Sequence, residues 1–218
     1  APGEIIAYTD ADVLFSPSWL SRSVEILETF PNVGMVTARP FRTPPEFYES
    51  TLKWAKENAT LDEGQFIPWE TFLEFNLSLG QTEEENEKVY AETKDWKITF
   101  RPERSPEGAQ SKDVTAMVGA SHWQFTAYKS TLQQFLPFDM DKPMGQVRQL
   151  DKRMNDAGLL RLMVSDPLAM NMSNTLGYLR GELKDAGKTW SPKGKRRAAL
   201  GKGVVAVGFI KKILLAVY

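Results

Sequence analysis

An apolar run, Glu4-Ile5-Ile6-Ala7-Tyr8, leads straight into Thr9-Asp10-Ala11-Asp12. Side chains alternate along a strand, so aspartates two apart leave its end on the same face. Paired carboxylate oxygens suit a hard divalent cation such as Mg2+ or Mn2+, and such an ion would neutralise a diphosphate. The plain alternative is a turn and a helix cap, where aspartates are also common. The single histidine, His122, lies in Ser121-His122-Trp123-Gln124-Phe125. Its ordinary pKa lies near neutrality, but the mixed aromatic and polar surroundings read first as a hydrogen-bonded pocket wall. The chain has no cysteine. That excludes disulfides, thiolate zinc sites and thiol nucleophiles, and fits a reducing compartment.

The elements that must position these groups follow from pattern. Ser16-Pro17 predicts a helix start, with Ser16 as cap and Pro17 in the first turn. Leu20, Val24, Leu27 and Phe30 then recur at helical spacing. Val33-Gly34-Met35-Val36-Thr37-Ala38 reads as a second strand. The order strand, acidic loop, helix, strand is that of an α/β domain handling nucleotides. Further helices are expected after Pro44-Pro45 (Phe47, Leu52, Trp54, Ala55) and after Pro68 (Trp69, Phe72, Leu73, Leu77). The acidic run Glu83 to Glu92 predicts a solvated helix. Trp96 to Phe100 alternates as a strand does, and Arg101 to Gly108 reads as an exposed loop. Arg39 is expected at the surface, with acceptor or phosphate binding as its functional alternative.

These pieces resemble a family 2 glycosyltransferase with the GT-A fold. The resemblance rests on Gly3 to Ala7, Thr9 to Asp12, Trp19-Leu20 and Val33 to Thr37. It continues through Met117 to Phe125, similar to the family's acceptor-side strand and loop. Leu150-Asp151-Lys152-Arg153-Met154 before Ala157-Gly158 is similar to its acceptor-side helix. It covers most of residues 3–175. It implies a GT-A-type, Rossmann-like mixed sheet flanked by helices, and inverting transfer of a sugar from a nucleotide-diphosphate donor to a carbohydrate or lipid-linked acceptor. It also implies a divalent metal, Mn2+ or Mg2+, bridging Asp10 and Asp12 to the donor. Asp12 is the stronger candidate for the ion, and Asp10 serves the ion or the sugar and ribose hydroxyls. Against the family, the opening at Ala1-Pro2-Gly3 implies that about half of a nucleotide-binding domain is lacking.

The chain departs from the family in two places. Gln146-Val147 stands where many members carry Glu-Asp, so the general base falls to Asp139, Asp141 or Asp151, with Asp151 and Asp139 ranked first. Asp151 also reads as a solvated or salt-bridged residue of an amphipathic helix, and Asp139 and Asp141 as turn residues. Asn171 stands where relatives often carry a metal-contacting histidine; an amide oxygen ligates a hard ion less strongly. His122 and Trp123 are placed at the acceptor site, with Trp123 either stacking on a sugar or filling the core.

Composition is that of a globular protein, with 42% hydrophobic and 25% charged residues. The C-terminal part differs. From Ala186 onward there are eight basic residues and no acidic one, so the net charge of −1 divides into +8 there and −9 before. Residues 1–187 are accordingly read as a partial GT-A domain and 188–218 as a basic amphipathic tail. That tail either docks on the core or lies on an anionic membrane surface, and lacks the interleaved aromatics of a nucleic-acid binder. The expected location is cytoplasmic, peripheral on the inner face of the membrane. Two other function classes share the acidic motif or explain the departures: a haloacid dehalogenase-type phosphatase with Asp10 as nucleophile and Asp12 as general acid, and a catalytically inactive nucleotide-sugar binding module.

Overall fold

The computed structural model describes residues 2–102, 112–136 and 145–172, with backbone alone for 145–147. Asp139, Asp141 and the tail 188–218 lie outside the described residues. The strands are β1 (Ile5–Thr9), β2 (Val13–Phe15), β3 (Val33–Thr37), β4 (Thr60–Gly64), β5 (Asp95–Phe100), β6 (Val114–Val118), β7 (Gln124–Tyr128), β8 (Leu160–Met163) and β9 (Ala169–Asn171). The helices are α1 (Trp19–Thr29), α2 (Glu49–Asn58), α3 (Trp69–Ser78), α4 (Glu83–Glu92), α5 (Lys129–Gln133) and α6 (Gly145–Asp156), with a 3-10 turn at Pro45–Phe47. Seven strands form one mixed sheet in the order β1-β7-β3-β8-β6-β5-β4, and β2 pairs with β9 in a separate ribbon. The expectation of a mixed α/β sheet flanked by helices holds at this level.

Alternation between Met35 and Val36, after an irregularity in register between Val33 and Met35, sets the layers. Val33 and Val36 join Ile26, Leu27, Phe30, Leu160 and Leu162 in one core, against which α1 packs. Met35 turns to the opposite face and joins Ala120, Phe125, Ala127, Leu150 and Met154 beneath α6. Every residue of β3 is buried, as a central strand covered on both faces requires. Helix α6 ends on Gly158 at φ 76°, where Gly158 N–H donates to Asn155 O (2.9 Å) and Leu159 N–H to Met154 O (3.0 Å). A left-handed glycine satisfies the last carbonyls and turns the chain into β8.

One local expectation changes, and one strand appears where the sequence gives no signal. The first helix begins at Trp19, two residues beyond Pro17, and Ser18 precedes it at φ 68° without a side-chain cap. The cause is tertiary: Val13–Phe15 is drawn into a ribbon with β9, and Ser16 N–H donates to Leu168 O (2.9 Å). Strand β4, Thr-Leu-Asp-Glu-Gly, has little strand propensity and exists because it pairs along its whole length with β5. The acidic helix forms as expected, and a capping box of Thr82 and Glu85 starts it. Among the described residues, no helix is long and apolar enough to cross a membrane.

The far side of the sheet is tied by Asp95. Its Oδ1 accepts from Arg42 Nε (2.7 Å), and its Oδ2 from the backbone N–H of Phe66 (2.9 Å) and Ile67 (3.0 Å). The Arg42 guanidinium lies 4.8 Å and 4.7 Å from the ring centres of Phe72 and Tyr90. One buried carboxylate thus joins β5 to the segments following β3 and β4. Asp95→Ala leaves two backbone amides and one side of a part-buried guanidinium without their acceptor, and is expected to destabilise the fold by about 1–3 kcal/mol, read as a fall in urea midpoint at unchanged slope.

Candidate functional site

Strand direction brings the chemistry together. β1 and β3 both run antiparallel to β7, and β3 runs parallel to β8, so β1, β3 and β8 end at the same edge of the sheet. Asp10 follows β1 at that edge. The start of β7 lies beside it, through the pair Thr9↔Gln124 and the hydrogen bond from Asp10 N–H to Trp123 O (2.9 Å). Crevices at the carboxyl ends of parallel strands are the usual ligand sites of α/β sheets.

Asp10 and Asp12 are held separately. Asp10 continues the ladder with β7, whereas Asp12 enters the β2-β9 ribbon, its carbonyl accepting from Met172 N–H (2.7 Å). The ribbon pairs Val13 with Asn171, so Asn171 arrives one register position from Asp12 by backbone pairing alone. Asp10 is exposed and Asp12 half-buried, so both are accessible. The Asp10 pKa is raised, first by loss of hydration and then by the negative charge of Asp12, while His122 and the Tyr8 hydroxyl pull it down. Tyr8 donates to Asp10 Oδ1 across a long 3.4 Å, and its own pKa is raised by burial and then by Asp10. The two carboxylates therefore repel each other at an open site. Among the described residues no group of three or more His, Cys, Asp or Glu side chains is placed to enclose an ion.

Asp151 is not on a solvated face. Its side chain is 4% exposed, its Oδ1 accepts from Arg161 Nη2 (2.5 Å), and its Oδ2 lies 2.7 Å from His122 Nδ1. The helix stripe of Val147, Leu150 and Met154 concealed this, because Asp151 follows Leu150 onto the covered side. The salt-bridged alternative is the one realised. Arg161, its partner, is fully buried. Burial lowers the Arg161 pKa, and Asp151 works in the opposite direction. The guanidinium also donates to Phe47 O (2.5 Å) and to Ala120 O, while its Nε is buried without a partner. Sequence reasoning missed Arg161, although an arginine inside Leu159-Leu160-Arg161-Leu162-Met163-Val164 was a signal: a charge in a buried strand requires a buried partner.

The remaining candidates separate clearly. Trp123 is 8% exposed, with its rings 6.0 Å and 5.6 Å from Phe41 and Phe75, and takes the core alternative rather than the stacking one. Arg39, expected at the surface, is buried and donates to Thr71 O (2.7 Å), Glu74 Oε2 (2.9 Å) and Ala169 O (3.2 Å). It fastens β9 to α3, which in turn fixes Asn171. His122 remains partly open, its side chain 24% exposed. A cleft of about 150 Å3 lined by Phe41, Thr43, Tyr48, Trp96, Met117 and Met163 includes none of these site residues. Comparisons with protein-family models, with curated proteins and with solved structures give no match.

Two outcomes follow from the charges. Arg161→Met and Asp151→Leu each leave one buried charge unpaired and are expected to cost about 3–5 kcal/mol, whereas the double variant recovers most of the loss; chemical denaturation of all four proteins reads the coupling. Because the folded-state pKa of Asp10 lies above its unfolded value, the folded protein binds more protons across that interval. Its stability therefore falls as pH climbs from the ordinary carboxylate pKa through the raised one. Asp12→Asn is expected to reduce that fall and to bring the Asp10 carboxyl titration, followed by carbon NMR, back toward the ordinary range.

Proposed function

We propose that the protein is a metal-dependent, inverting glycosyltransferase of the GT-A type, moving a sugar from a nucleotide-diphosphate donor to the hydroxyl of a carbohydrate or lipid-linked acceptor. One observation carries this reading: two accessible carboxylates at the mouth of a sheet-edge strand, with His122 near enough to act on Asp10 and Asn171 paired with Val13, the residue after Asp12. Without a counter-charge that arrangement is unfavourable. A divalent cation bound there supplies positive charge to the departing diphosphate, which lowers the barrier to breaking the sugar–oxygen bond. Asp12 and Asp10 hold the cation, and the Asn171 side chain is the third candidate ligand.

The sequence features quoted for the family, from Gly3-Glu4-Ile5-Ile6 to Asp151 and Ala157-Gly158, support the same assignment. The charge of 188–218 supports a cytoplasmic, peripheral place on an anionic membrane, near lipid-linked acceptors.

Titrating the full chain with Mn2+ in the presence and absence of UDP or GDP tests the metal and donor. Nucleotide is expected to tighten Mn2+ binding, and Asp12→Ala to remove that effect. Unchanged nucleotide-dependent binding in Asp12→Ala overturns the assignment. Phosphate release from a phosphomonoester, without nucleotide-dependent binding, would point instead to the dehalogenase-type phosphatase.

A further inference from the structure

Asp10 and Asp12 account for the leaving group but not for the proton of the attacking hydroxyl. The described residues offer a group for that task which sequence reading set aside. His122 Nδ1 lies 2.7 Å from Asp151 Oδ2, and Asp151 Oδ1 is ion-paired with the buried Arg161. An ionised carboxylate only accepts hydrogen bonds, so Nδ1 carries the hydrogen and Nε2 is left with its lone pair. No hydrogen-bond partner holds Nε2 among the described residues, on a side chain 24% exposed. The ring sits near enough to Asp10 to influence its charge, yet no ion pair within 4.0 Å joins the two.

We propose that His122 Nε2 is the proton acceptor for the attacking hydroxyl, with Asp151 as the positioning residue that fixes its tautomer and Arg161 as the anchor that holds the Asp151 side chain in place. The proposal rests on the reading of Asp10 and Asp12 as the donor's site. In the step, the acceptor oxygen bonds to the anomeric carbon as the bond from that carbon to the diphosphate oxygen breaks. The bonding pair leaves with the nucleoside diphosphate, and the acceptor's proton passes to Nε2. The resulting imidazolium faces the negative charge of Asp151, which offsets its cost. The charged groups around the ring are Asp151 on α6, Arg161 on β8 behind it, and Asp10 beyond β1. A base of this kind contributes about 10²–10⁴-fold.

The chain has only this histidine, which makes the test selective. Turnover is followed as nucleoside diphosphate released, with Mn2+, from UDP-glucose, UDP-N-acetylglucosamine and GDP-mannose, water serving as the acceptor. His122→Gln keeps a donor toward Asp151 but takes no proton. It is expected to lose about 10²–10⁴-fold in kcat while Mn2+-dependent UDP or GDP affinity and the folded circular dichroism spectrum are retained. Diethylpyrocarbonate, read at one histidine, should abolish release in the wild type, and hydroxylamine should restore it. Nitrogen NMR should show hydrogen on Nδ1 in the wild type. Undiminished release from His122→Gln or from the carbethoxylated protein, or hydrogen on Nε2 instead, overturns the proposal. Loss of Mn2+-dependent nucleotide binding in the wild type overturns the donor-site reading instead.

Discussion

The buried pair of Arg161 and Asp151 is the constraint from which the site's geometry follows. A fully buried guanidinium is tolerated only with a close counter-charge and filled donors. Meeting that need pulls α6, the segment ahead of β7, the start of β8 and the 3-10 turn toward one point, through Asp151, Ala120, Gly119 and Phe47. Because the second carboxylate oxygen of Asp151 meets His122 Nδ1, the same pair orients His122. Stability and site geometry therefore share residues. Replacing the pair with apolar side chains would satisfy the core and remove the orientation.

The acidic motif behaves in the opposite way. The Asp10 pKa is raised, first by lost hydration and then by the charge of Asp12. Carboxylates perturbed in this way belong to sites more often than to scaffolds. What holds them is backbone: Asp10 through β7, Asp12 through the ribbon with β9. Arg39 secures that ribbon from below by joining Ala169 to α3. The acidic pair can thus repel without moving apart.

Local pattern carried much of the fold. The apolar runs at Ile5 and Val33, the acidic helix after Thr82 and the helix before Gly158 were each legible because periodicity, capping and turn chemistry act over a few residues. Expectations failed where a distant segment decided the outcome. Ser16 was claimed by Leu168 rather than by a helix cap, and Arg39 was buried by β9 and α3.

The residues alone determined an α/β chain with a paired carboxylate at a strand end, a single histidine and a segregated basic tail, since these depend on residue type and short spacing. Only the tertiary structure decided that His122, Asp151 and Arg161 form one chain of contacts, that Asn171 stands one register position from Asp12, and that Trp123 belongs to the core. The reason is physical: burial and partner choice are set by which elements pack together, and a buried charge is neutralised by whichever opposite charge the fold brings within reach.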